Sequence, residues 1–189
     1  MLTKPAYVPV MSGDLMTAED LFRSSFPDKR VELVRGELIV REPPGYRHGA
    51  VTAQLTTALM NHVVPRDLGQ VVAGDVGFTL ARGPDTVRGP DVAFVRRGRV
   101  PRPLPSAFAE LAPDLAVEIL SPSDRSGETL AKVADWLNAG TRLVWVIDPS
   151  RRQARVYRQD GTLATVEAAG TLDGEDVLPG FSCPLEAVL

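Results

Sequence analysis

Two short apolar runs each carry one carboxylate where a buried strand has no ordinary use for it. Asp91 opens the run Val92-Ala93-Phe94-Val95, and Glu118 sits inside Leu115-Ala116-Val117-Glu118-Ile119-Leu120. An ionised carboxylate in such surroundings loses much of its hydration, which costs several kcal/mol unless something compensates. A hard divalent cation is one compensator. If the two strands pair, both carboxylates, a nearby backbone carbonyl and waters complete an octahedral Mg²⁺ site. Such an ion polarises a phosphoryl oxygen and makes bound water a better nucleophile. The competing reading makes Asp91 a turn residue after Gly89-Pro90 and Glu118 the salt-bridge partner of an arginine.

The elements that must position these groups follow from local pattern. Thr17-Ala18-Glu19-Asp20 has the form of a capping box for a short helix through Phe22 or Arg23. Val31–Val34 and Glu37–Val40 flank Arg35-Gly36 as a hairpin, and alternation places Glu32 towards solvent. From His48 to Val64, apolar residues recur at helical spacing (Val51, Leu55, Ala58, Leu59). Strands are expected at Val71–Ala73 and Gly77–Leu80, with Gly83-Pro84-Asp85 as a turn. Residues 97–113, with Pro101, Pro103 and Pro105, read as a loop within one domain. A helix follows from about Ser126 to Asn138, its apolar stripe formed by Leu130, Val133, Ala134 and Leu137, and Gly140 suits its end. Ser121 and Ser123 are expected to cap it. Arg142–Asp148 is a buried strand, Ala154–Tyr157 and Thr162–Val166 form a closing hairpin, and the tail docks as irregular chain. The succession predicts an α/β domain with a mixed sheet flanked by helices over residues 16–189, preceded by an arm at 1–15.

Composition narrows the partners. With 189 residues, 44% hydrophobic and 24% charged, the chain can bury a real core. A net charge of −3 argues against coating nucleic acid by bulk electrostatics. The charge is uneven, however. Arginines 82, 88, 96, 97, 99 and 102 face only Asp85 and Asp91 in that stretch, a local excess that either meets phosphate or decorates solvated turns. A single cysteine, Cys183, forms no internal disulfide, and the N-terminus lacks the apolar core of a signal peptide. No run approaches the ~20 apolar residues of a bilayer span. The expected setting is cytoplasmic, with no membrane partner.

Taken in order, several segments resemble the PD-(D/E)xK nuclease superfamily. They are Val31-Glu32-Leu33-Val34, Arg47-His48-Gly49, Arg88-Gly89-Pro90-Asp91-Val92, Val117-Glu118-Ile119-Leu120-Ser121-Pro122-Ser123, Lys132 and Trp145-Val146-Ile147-Asp148-Pro149. More closely, residues 16 to 188 are similar to the Uma-type family of restriction-endonuclease-like proteins, long catalogued as a domain of unknown function. The resemblance implies a restriction-endonuclease-like core and Mg²⁺ (or Mn²⁺ in its place) at Asp91 and Glu118, with Glu32 as a further acidic member. It implies DNA as substrate, with Arg88 and His48 as candidate phosphate contacts. One departure stands out: the third position of the (D/E)xK element is Leu120. The resemblance places the missing lysine on the following helix, at Lys132, where its amine could orient water or neutralise charge on the phosphate. Periodicity by itself makes Lys132 a solvated residue covering Trp136.

Two functional classes follow. One is a Mg²⁺-dependent DNA endonuclease that uses Glu32, Asp91, Glu118 and Lys132. The other is a catalytically silent nuclease fold that binds nucleic acid or a protein partner, or a homodimeric scaffold. Fold resemblance alone does not choose between them.

Overall fold

The computed structural model describes residues 15–122 and 124–189. The expected arm at 1–15 falls, apart from Leu15, outside them, as does the expected cap Ser123. The helices are α1 (Ala18–Arg23), α2 (Tyr46–Arg66) and α3 (Ser126–Asn138). The strands are β1 (Arg30–Val34), β2 (Glu37–Arg41), β3 (Gly69–Ala73), β4 (Phe78–Ala81), β5 (Thr86–Arg88) and β6 (Val92–Arg96). They continue as β7 (Leu115–Ile119), β8 (Leu143–Asp148), β9 (Gln153–Arg158), β10 (Leu163–Glu167), β11 (Thr171–Asp173) and β12 (Ser182–Pro184). Short 3₁₀ turns cover Arg97–Arg99 and Leu185–Val188.

A six-stranded mixed sheet in the order β10-β9-β8-β7-β6-β3 forms the centre. Only β7 and β8 run parallel, because α3 connects them as a crossover. Alternation along each strand divides the core into two layers. Val92, Phe94, Val117, Trp145 and Ile147 meet the stripe Val51, Leu55, Leu59 and Val63 of α2. Ala93, Val95, Ala116, Val144 and Val146 meet Val133 and Trp136 of α3.

A second, four-stranded sheet, β2-β1-β5-β4, carries the hairpin. Its turn residues Arg35 and Gly36 both have positive φ, 51° and 79°, the geometry that matches the twist of a two-residue hairpin. The Thr17 capping box is present, with Asp20 closing it. Residues 97–113 are mainly irregular, as their prolines dictate, though Ala109 bridges to Phe78. The short strand β5 follows the expected turn, and β11 pairs with β12 within the tail. These three strands have three residues each, too few for a periodic signal.

Two expectations about facing are corrected. Glu32 is only 6% exposed rather than solvent-facing, since β1 is covered on both sides. The buried residues of α3 are Lys132, Val133 and Trp136, whereas Leu130 is 49% exposed and Ala134 faces out. The helix is turned so that the donors Lys132 and Trp136 join Val133 against the sheet. Among the described residues, no helix is long and apolar enough to cross a membrane.

Candidate active site

The antiparallel register of β6 and β7 sets Val92 opposite Val117, which places Asp91 across from Glu118. Both side chains lie on the α3 face of the sheet, and both line one cavity of about 40 Å³ at its edge. Arg30, Arg41 and Lys132 line the same cavity.

Asp91 is held from three sides. Its Oδ2 accepts the Ile119 amide at 2.6 Å, and its Oδ1 lies 2.9 Å from Arg30 Nη2 and 3.0 Å from His48 Nε2. Burial opposes its ionisation, but the His48 hydrogen bond, Lys132 and the Ile119 amide outweigh it and hold the carboxyl below the ordinary range. Arg30 also pairs with Asp75.

Glu118 accepts from Lys132 Nζ at 2.8 Å on Oε2 and from the Trp136 indole at 2.8 Å on Oε1. Lys132 and Trp136 are four residues apart on α3, so they stand one turn apart on one helical face. Burial pushes the Glu118 carboxyl up to about 7, against the pull of Lys132 and with the negative charges of Asp91 and Glu32 adding to the rise.

Glu32 enters from β1. Its Oε1 lies 3.0 Å from Lys132 Nζ and accepts the Gly89 amide at 3.0 Å, and its Oε2 accepts from Arg88 at 2.9 Å. Burial works against its charge, yet Lys132, Arg88 and the Gly89 amide keep its pKa lowered. Lys132 donates a third hydrogen bond to the Gly89 carbonyl at 2.8 Å. All three N–H groups of its ammonium are therefore engaged. Burial alone would drive its proton off, but Glu118, Glu32 and Asp91 reverse the effect and its pKa is raised.

The structure thus brings Glu32, Asp91, Glu118 and Lys132 to one place. It places the two expected phosphate contacts differently. His48 is buried, at the start of α2, against Asp91. Arg88 is 5% exposed, with its guanidinium committed to Glu32 and to Asp135, the latter at 2.9 and 2.5 Å. The rest of the arginine excess is also engaged. Arg82 pairs with Glu19, Asp85 and Glu110, Arg97 with Asp67, and Arg99 with Asp114, while Arg96 donates to backbone carbonyls. Only Arg102 of the six has no partner among the described residues.

The sequence pattern gave no sign of Arg30, Asp75 or the indole donor of Trp136 as members of the site. Arg30 stands two residues before Glu32 on the same strand face, a period-2 signal that a search for counter-ions would use. The donor chemistry fits a hard divalent cation. Five carboxyl groups (Glu32, Asp75, Asp91, Glu118, Asp135) meet three fixed cations (Arg30, Arg88, Lys132) in this network, so acidic groups outnumber the fixed cations by two. Among the described residues, no three Asp, Glu, His or Cys side chains converge as a ready-made ligand set. Mg²⁺ does not require one, since it is ordinarily held by one or two carboxylates with water and phosphate filling the remaining positions.

The fold has a solved relative. A crystal structure from Anabaena variabilis ATCC 29413, described as "a putative nuclease belonging to DUF820", superposes with a TM-score of 0.81 at 19% identity, covering 92% of this chain and 97% of that one. At that identity the likeness shows a shared fold, a mixed sheet flanked by helices. No curated protein matches the chain. The family model Uma2, described as "Putative restriction endonuclease", matches residues 18–186, from the first helix to the last turn, and the chain belongs to that family.

Proposed function

We propose that the protein is a divalent-metal-dependent endonuclease that hydrolyses phosphodiester bonds of DNA. The observation that carries this reading is the placement of Asp91 and Glu118 side by side on the wall of one cavity, with a buried lysine against them. Asp91 and Glu118 would hold Mg²⁺ or Mn²⁺, which supplies Lewis-acid polarisation of a phosphoryl oxygen and a more acidic bound water. Asp91 is prepared as a permanent anion. Its three partners also fix its orientation, which limits reorganisation when a ligand arrives. Glu118 is the adjustable member, because its carboxyl gives up a proton near neutrality.

Lys132 contributes as a fixed cation. Its raised pKa excludes it as a proton acceptor at neutral pH, so its role is to stabilise negative charge on the phosphate and to orient water. To donate directly to a phosphate oxygen it must release Gly89, Glu32 or Glu118. Glu32 has both oxygens occupied by Arg88, Lys132 and the Gly89 amide. In this reading it anchors Lys132, and serving as a third metal ligand would require Lys132 to move. Arg88 and His48 act from behind, on Glu32 and Asp91.

The completeness of this network supports a second reading, a nuclease fold that binds nucleic acid without cutting it. Titration of Mg²⁺ and Mn²⁺ by calorimetry, with plasmid nicking followed on the same samples, decides between them. Wild type is expected to bind one ion and to nick, and Asp91→Ala to do neither. Metal binding without nicking, or nicking that persists in Asp91→Ala, would remove the enzymatic reading.

A further inference from the structure

A groove of about 210 Å³ adjoins the carboxylate cavity and shares Leu120, Asp124 and Thr129 with it. It lies beyond the carboxyl ends of the parallel strands β7 and β8, where ligands of open α/β sheets usually sit. Gln153, Arg155 and Tyr157, alternate residues of β9, project into it from one sheet face. The register makes a row of Glu118, Val146 and Arg155 across β7, β8 and β9. Two strand spacings put Arg155 about 10 Å from Glu118 at the backbone.

Arg155 has the chemistry of a site awaiting an anion. It is half-buried, and its side chain has no hydrogen-bond or ion-pair partner among the described residues. Asp124 and Asp148 line the same groove but are engaged by Ser121 and by the amides of Ser150 and Arg151, so the Arg155 guanidinium stays open to an anionic ligand. By contrast, the neighbouring Arg151 lies 3.8 Å from Asp148. The wall around Arg155 sets apolar and aromatic side chains (Leu120, Leu130, Val146 and the ring of Tyr157) beside polar ones, Asp124 and Asp148 among them. A lone anion would need no such wall, and an apolar ligand would need no arginine. A nucleotide whose base has left the stack satisfies both, with its base against Tyr157 and its phosphate on Arg155. The recess is smaller than the ~300–1,000 Å³ of drug-sized pockets, a scale nearer one nucleotide than a base pair.

We propose that this groove binds an unpaired nucleotide of the strand whose phosphate lies at Asp91 and Glu118, so that the substrate class is single-stranded or locally unpaired nucleic acid. The proposal rests on the nuclease reading for its placement of the strand. Its test does not require cleavage.

Binding of a fluorescent single-stranded oligonucleotide and of its duplex is measured by anisotropy, in chelator, for the full chain. Wild type is expected to hold the single strand about tenfold tighter than the duplex. Tyr157→Leu should lose about tenfold on the single strand, the typical worth of one stacked base, while Tyr157→Phe stays near wild type. Arg155→Gln should weaken single-strand binding and reduce the slope of log affinity against log salt by about 0.7, the signature of one lost phosphate contact. Equal binding of both probes by wild type and variants, a preference for duplex, or no binding at all would overturn the proposal. A wild type that holds the strand through these residues but nicks no plasmid would remove the nuclease reading and leave the groove. Nicking with unaltered binding in the variants would do the reverse.

Discussion

Glu118→Gln is expected to abolish metal-supported cleavage while leaving the fold intact. Losing one of two ligands removes about 4 kcal/mol of transition-state stabilisation, roughly a thousandfold in rate. The structural consequence has a different sign. Glu118 has its carboxyl pushed up to about 7 from an ordinary 4.5, so the folded state binds its proton more tightly than the unfolded chain does. The contribution of this group to stability therefore falls as pH rises through that window, and levels off above about 7. A glutamine carries no such penalty. Its amide oxygen serves either Lys132 or Trp136 and leaves the other donor short, at about 1–3 kcal/mol at all pH values. The difference in unfolding free energy between variant and wild type should accordingly move in favour of the variant by about 2–3 kcal/mol from about pH 5 to about pH 8. Urea unfolding in chelator at the two pH values measures it. Parallel behaviour of the two proteins would mean that Glu118 is charged throughout and that burial does not govern it.

The strands that place Asp91 and Glu118 were legible because a short apolar run carrying a single carboxylate is rarely anything but a buried strand with a task for that charge. The helix α3 and a mixed sheet followed from period and length, whereas the pairing of the two strands stayed conditional until the register was seen. The facing of α3 was not legible. Of the expected stripe Leu130, Val133, Ala134 and Leu137, Val133 is buried and Leu137 packs partly against the core, but Leu130 and Ala134 face out and Lys132 and Trp136 are buried instead, because the acceptors they satisfy come from β1 and β7, outside the helix's own periodic pattern. Periodicity measures apolar content alone, and here the interior holds charges that need donors. The same blindness sent Glu32 towards solvent, when its partners Arg88 and Lys132 lie 56 and 100 residues further on. Lys132 as a member of the site came from family resemblance. The structure sets its amine between Glu32, Glu118 and the Gly89 carbonyl.

Lys132→Met is expected to be strongly disruptive. It would leave Glu32 and Glu118 buried with the cation between them gone, and breaking such a buried pair costs about 3–5 kcal/mol. For a chain of this size the melting temperature should fall by roughly 6–20 °C. The loss should be greater at about pH 8 than at about pH 5, since without Lys132 the two carboxyls rise further and protonation at the lower pH relieves them. Cleavage should vanish at both. Loss of activity in this variant alone would therefore be ambiguous between chemistry and folding, and the triple change Glu32→Gln, Glu118→Gln, Lys132→Met separates them. With no buried charge left among the three, replacement of an ion-pair triad by neutral groups is near neutral for stability, and the triple variant should regain most of the lost melting temperature while remaining inactive. Recovery of stability without activity identifies the triad as a site maintained for chemistry at a cost to the fold. A triple variant as unstable as Lys132→Met would instead mean that the lysine's aliphatic stem, packed beside Trp136, contributes more than its charge.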